Sequence, residues 1–282
     1  MNAYSIDNVQ IVADGLDHPE CVAWHPDGSL WAGGEAGQIY RIDPKGRVEE
    51  VANTGGFILG LAFSPDCEWL AICDLRKRCV WRLDIDNLAL DIFSTGAEDH
   101  SFNIPNFPCF DRSGSLYVSE SGAFRTTTGK VLRFDSAGYG EVWSDGPFNF
   151  ANGLALSPDE KHLYVVSSFL PGIERVAIAA DGSAGRREVV VELPGTVPDG
   201  IAFDAAGDLY ISCYAPNAIY RLGRNGKLDT VIDDWEAHTL CNPTNIAFGG
   251  TALDSLFFAN LGRWHVGKID IGIPGLKLAC HY

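Results

Sequence analysis

Short apolar runs alternate with Gly, Pro, Asp and Asn clusters along the whole chain, and one pattern recurs six times. It is an apolar strand, a turn rich in Pro, Asp or Gly, and a second apolar strand. The copies are ECVAWHPDGSLWAGGE from Glu20, LGLAFSPDCEWLAICD from Leu59, NFPCFDRSGSLYVSES from Asn106, NGLALSPDEKHLYVVS from Asn152, DGIAFDAAGDLYISCY from Asp199 and TNIAFGGTALDSLFFA from Thr244. Aligned on the last apolar residue of the first strand, the anchors are Trp24, Phe63, Phe110, Leu156, Phe203 and Phe248, spaced by 39, 47, 46, 47 and 45 residues. A third strand follows in each unit, as QIYRID (38–43), CVWRLDI (79–85), KVLRFD (130–135), IERVAI (173–178), AIYRLG (218–223) and VGKIDI (266–271). A fourth is expected in RVEEVAN, ALDIFST, YGEVWSD, REVVVEL and KLDTVID. Runs of four to seven residues bounded by turn formers are strand signals, and periods in this range are the mark of a β-propeller.

Four strands in each of six units predict an all-β, six-bladed propeller of antiparallel blades, one domain spanning 1–282. The sixth unit ends soon after its third strand, so NVQIVADG (8–15) is expected to supply the missing outer strand and tie the ring shut. A sandwich with many turns does not require six aligned copies. Helices are excluded because the apolar runs are short and interrupted by Gly and Pro.

The repeat changes the meaning of one column. Four residues before each anchor stand Glu20, Leu59, Asn106, Asn152, Asp199 and Thr244. The innermost strand of a propeller blade lines the central channel, so this slot lies near one mouth of it. Two carboxylates facing each other there repel and lose hydration, and a divalent cation relieves both problems. Carboxylate and amide oxygens suit calcium, magnesium or manganese, with zinc and iron(II) left open, and four protein ligands leave positions for water or substrate. A single Asn-Gly or Asp-Gly at a strand start makes a local turn; the repetition of oxygen ligands in one column is what points to a metal.

Composition narrows the class. The net charge of −16 makes nucleic acid and anionic membranes poor partners. The eight cysteines have no paired zinc-site spacing, and Cys73, Cys109 and Cys213 fall inside apolar strands. No leader and no apolar run of spanning length stands out, and the cytoplasm is the expected location. There is no Gly-x-Ser-x-Gly elbow and no dinucleotide glycine pattern.

The runs PECVAW, FANGLALSPDEKHLYVVSS, VPDGIAFDAAGDLYISCY and TNIAFGG resemble the blades of the gluconolactonase/regucalcin family over nearly the entire chain. The resemblance implies a six-bladed lactonase with one divalent metal in the channel. It implies Glu20, Asn152 and Asp199 as metal ligands, Asn106 as a fourth channel residue reaching metal, water or substrate, and Asp199 as general base. Members of regucalcin type carry Arg-x-Asn-Asp in the third blade, where this chain has Ile104-Pro105-Asn106-Phe107, and Cys21 follows the first-blade Glu. An anchor for a sugar acid is therefore missing at Ile104, and Phe107 is expected to make the mouth more apolar. Other pocket candidates are His18, Glu120, Arg125 and Tyr214, and the long segment 121–129 is a candidate lid. The expected activity is metal-dependent opening of a lactone, either a sugar-acid lactone or a less polar one. The alternatives are a hydrolase resembling diisopropyl fluorophosphatase and a non-catalytic calcium-binding or interaction propeller.

Overall fold

The computed structural model describes residues 3–282 and is built almost entirely of strands. Six four-stranded antiparallel sheets follow one another along the chain. Blade 1 holds Cys21–Trp24, Leu30–Gly33, Gln38–Ile42 and Val48–Asn53; blade 2 holds Ile58–Phe63, Trp69–Asp74, Cys79–Asp84 and Leu90–Ser94. Blade 3 holds Pro105–Phe110, Leu116–Glu120, Gly129–Phe134 and Gly140–Phe148; blade 4 holds Ala151–Leu156, His162–Ser167, Gly172–Ile178 and Ala184–Glu192. Blade 5 holds Val197–Phe203, Leu209–Ala215, Ala218–Leu222 and Leu228–Asp233. Blade 6 takes Pro243–Gly249, Ser255–Asn260 and His265–Asp270 from the C-terminal end of the repeat and Gln10–Asp14 from the N-terminal end. The N-terminal strand pairs antiparallel with His265–Lys268, so the expected closure of the ring is present.

The core is distributed over the seams between blades. One cluster of buried side chains joins blades 1 and 2, and others join 2 and 3, 3 and 4, 4 and 5, 5 and 6, and 6 and 1. The anchor residues explain the repeat. Phe63, Phe110, Phe203 and Phe248 each meet an aromatic ring of the preceding blade edge-on: Trp31 at 5.9 Å, Trp69 at 5.1 Å, Tyr164 at 4.9 Å and Tyr210 at 5.1 Å between centroids. Such T-shaped pairs add to the burial of both rings. The Asp of the first turn accepts backbone N–H bonds in the hairpin, as Asp27 does from Ser29 at 2.8 Å and Asp111 from Ser113 at 2.9 Å, which fixes where the chain reverses.

One feature lies outside the sequence pattern. After blade 6 the chain crosses the channel end opposite the slot. Leu276 N–H donates to Phe203 O at 2.9 Å, the Cys67 thiol donates to Cys280 O at 3.0 Å, and His281 packs edge-on against Trp24. This tail closes an axial cavity of about 120 Å³ lined by all six innermost strands, with Ala62, Ala155, Ala202 and Ala247 among its walls. The segment IGIPGLKLACHY has no alternation to announce a strand, so it carries no repeat signal.

Candidate metal centre

A bulge aims five of the six slot residues. Strand register breaks between Ile58 and Gly60, Pro105 and Pro108, Ala151 and Leu154, Pro198 and Ile201, and Pro243 and Ile246. Leu59, Asn106, Asn152, Asp199 and Thr244 fall inside these breaks, while Glu20 stands immediately before the first strand of blade 1. A bulge releases a residue from ladder pairing and redirects its side chain. The following residue is glycine in blades 2, 4 and 5, for a steric reason. A Cβ at Gly60 would lie 2.4 Å from Asn106 O, one at Gly153 2.6 Å from Asp199 O, and one at Gly200 2.8 Å from Thr244 O. Each glycine thus lets its innermost strand approach the slot residue of the next blade.

The two slot amides are oriented by serines. Asn106 Nδ2 donates to Ser121 Oγ at 3.0 Å, and that hydroxyl donates to Ala151 O at 2.6 Å. Asn152 Nδ2 donates to Ser168 Oγ at 3.2 Å, and that hydroxyl donates to Pro198 O at 2.8 Å. A hydroxyl has one hydrogen; with it directed at a carbonyl, the oxygen must accept from the amide nitrogen. The carbonyl end of each asparagine is then left for another partner. Asn152 Oδ1 and Thr244 Oγ1 are buried and have no hydrogen-bond partner. Asn245 spans the same ring from blade 6, its Nδ2 donating to Glu20 O at 3.0 Å and Leu59 O at 3.4 Å, with Oδ1 unpartnered.

Both slot carboxyls are raised chiefly by burial. Burial, followed by the charges of Asp199 and Glu35, pushes the Glu20 carboxyl well above the usual range. Burial raises Asp199 to about 7, against a hydrogen bond from Asn152 that lowers it. The structure therefore brings Glu20, Asn152 and Asp199 together. The donor set of two carboxylates, an unpartnered amide oxygen and a second amide held in the same orientation fits a hard divalent cation. Among the described residues no group of three or more His, Cys, Asp and Glu side chains could by itself hold a metal ion.

The other pocket candidates separate into three groups. His18 and Tyr214 stand near the carboxylates. His18 Nδ1 lies 2.9 Å from Asp17 Oδ1 and 3.3 Å from Glu35 Oε2, with its ring 4.6 Å from that of Trp264. The Tyr214 phenol is raised by burial and then by the charges of Glu20 and Asp199. Ile104 and Arg125 belong to the apolar side: Ile104 is half-buried two residues before Asn106, and the Arg125 guanidinium lies over Phe124 at 5.4 Å and Phe169 at 5.8 Å. Glu120 and Phe107 face elsewhere. Glu120 is 1% exposed and accepts from the N–H groups of Asn103, Ile104 and Gly122 at 3.0 Å each, organising the loop that leads to Asn106. Phe107 packs at the seam of blades 3 and 4 and lines the axial cavity below the slot, so the apolar character expected of it at the mouth comes from other residues.

The orienting serines were missed from sequence, although a signal exists. Ser stands five residues after Leu116 and after Leu163, in the two blades whose slot is Asn. Hairpins of different length hide the match when blades are counted from their anchors.

Residues 18–261 match the SMP-30/Gluconolactonase/LRE-like region family. A 6-deoxy-6-sulfogluconolactonase from Pseudomonas putida is 29% identical over 260 residues, covering 86% of this chain and 82% of that protein. A pentonolactonase from Haloferax volcanii is 26% identical over 244 residues, covering 85% and 80%. The solved structure of a gluconolactonase from Xanthomonas campestris superposes with a TM-score of 0.79 at 21% identity, over 95% of this chain and 89% of that one, a likeness of fold. With its match extending from His18 in the blade 1 loop to Leu261 after the second strand of blade 6, the chain belongs to the SMP-30/Gluconolactonase/LRE-like family.

Proposed function

We propose that this protein hydrolyses a lactone, using a divalent cation held by Glu20, Asn152 and Asp199 with Asn106 beside them. The observation that carries the reading is the meeting of two carboxyls raised by burial with an unpartnered buried amide oxygen at Asn152. Relatives named as lactonases support the substrate class. A cation there would supply electrophilic polarisation of the ring carbonyl.

The remaining steps belong to the chain's own side chains. Asp199 accepts a proton from the attacking water on a carboxylate oxygen that burial makes more basic than an exposed one. The water oxygen bonds to the carbonyl carbon and the ring C–O bond breaks. The departing alkoxide takes the proton back, giving the hydroxy acid. Asn106, its amide turned by Ser121, presents its carbonyl oxygen to the water or the bound ring. Glu20 would be the second carboxylate holding the cation.

The test is proton release from a panel of sugar, alkyl and aryl lactones, with phosphotriesters as a second panel, on protein of measured metal content with and without chelator. Chelator-sensitive opening of a lactone is expected. A fully metal-loaded protein that opens none of them, or that turns over only phosphotriesters, rejects the reading.

A further inference from the structure

Half of the rim above the slot is largely apolar. Two residues ahead of the slot, on the side of the mouth, stand His18, Phe57, Ile104, Phe150, Val197 and Asn242, each half-buried. In blades 2, 3 and 4 these are Phe, Ile and Phe, and the slot of blade 2 itself is Leu59. Around Phe150 a three-ring cluster continues outward. Phe124 packs at 5.8 Å on Phe150 and 5.3 Å on Phe169, and Phe150 lies 5.3 Å from Phe169. Phe124 is 64% exposed, an unusual position for a large ring held edge-on by two others.

The Arg125 guanidinium lies over Phe124 and Phe169, and other polar groups on this side have partners within the protein. Asn103 Nδ2 donates to Gly122 O at 2.9 Å, and Asn149 Nδ2 donates to Phe169 O at 3.1 Å. Ser121 and Ser168 serve the slot amides, and Glu120 serves three backbone N–H groups. The opposite half, at blades 5, 6 and 1, carries Tyr214, Asn242, His18 and Glu35. A polyhydroxylated ring seated at the slot would turn several hydroxyls toward a wall made mostly of aromatic and aliphatic side chains, losing water with little compensation. An apolar substituent on the same side would gain burial and edge-on ring contacts.

We infer that the substrate is a lactone bearing a bulky apolar substituent, aromatic by preference, which lies over blades 2 to 4, with Ile104, Phe150 and Phe124 setting this specificity. The inference rests on the lactonase reading for its reaction and on the rim for its substrate. The experiment compares kcat/KM for 3,4-dihydrocoumarin and glucono-1,5-lactone on the metal-loaded protein and on Phe150→Asn and Phe124→Ser. Asn tolerates the backbone φ of +65° at position 150, and Phe124 is exposed, so both variants should fold. The expected result is a preference for the aryl lactone of about tenfold or more, with the ratio of aryl lactone to glucono-1,5-lactone kcat/KM cut by about tenfold in each variant; hydrophobic pocket contacts discriminate on that order. Equal or better turnover of glucono-1,5-lactone, or a ratio unmoved by both variants, overturns it. Calorimetric binding of the non-hydrolysable lactams, 3,4-dihydroquinolin-2-one against gluconolactam, separates the two readings. If no lactone is opened, the reaction is wrong, and tighter binding of the aryl lactam still supports the rim assignment while weaker or equal binding overturns it.

Discussion

At the scale of single residues, the proposed roles of a ligand and a base can be separated. Asp199→Asn keeps an oxygen of the same size and removes the proton acceptor. At saturating metal it should lower turnover by about 10²–10⁴-fold while metal content changes little. Asn152→Asp keeps a ligand and should retain more activity than Asp199→Asn; steady-state kinetics beside metal analysis of both variants checks the pair. Ser168→Ala tests the orienting hydroxyl. With Ser168 gone, Asn152 is free to flip, and metal affinity should fall by about 10–100-fold, as for other groups that position a ligand. Titration of the metal into the apo variant measures it. The slot was legible in sequence because carboxylates and amides recur in one column. The serine partners were not, because they sit on the second strand and meet the slot only through the bulge and the approach of the next blade.

At the scale of elements, the bulges and their glycines decide whether the slot closes. Gly200→Ala would bring a methyl 2.7 Å from Asn245 Cα and 2.8 Å from Thr244 O, both backbone atoms with little room to yield. Overpacking of this kind costs about 1–3 kcal/mol, and the melting temperature should drop by several degrees with a parallel loss of metal affinity. Differential scanning calorimetry with and without metal reads both effects. The hairpins, the third and fourth strands and the closure by Gln10–Asp14 were legible because alternation and turn residues are local signals. The tail across the far end of the channel was not, since its place depends on contacts with Phe203, Cys67 and Trp24, which lie remote from it in sequence.

At the scale of the whole molecule, the raised carboxyls should couple stability to pH and, on the proposed reading, to metal. Glu20 and Asp199 both have folded values above their unfolded ones, Asp199 reaching about 7 from 3.8. Their contribution is therefore fully present below the unfolded value and is lost as pH rises through the folded one. In chelator, stability should fall between about pH 4 and pH 8, with up to about 4 kcal/mol of the loss from Asp199. Other carboxyls held below their ordinary range act in the opposite sense, so the measurement is a comparison. Metal-free Asp199→Asn should gain on metal-free wild type as pH rises, and added cation should raise the wild-type melting temperature most at the upper end. Parallel pH profiles of the two proteins would contradict the coupling.

The strand Gln10–Asp14 gives the molecule a history as well as a shape. Among the blade strands it is made first, and it cannot pair until its partner His265–Asp270 has been made. Until then blade 6 is incomplete, and the column of slot residues is an open arc with Glu20 separated from Thr244 and Asn245. On the reading proposed above, ion capture by this column depends on a closed ring: a chain cut short of His265–Asp270 holds every ligand needed and lacks the circle that brings them face to face.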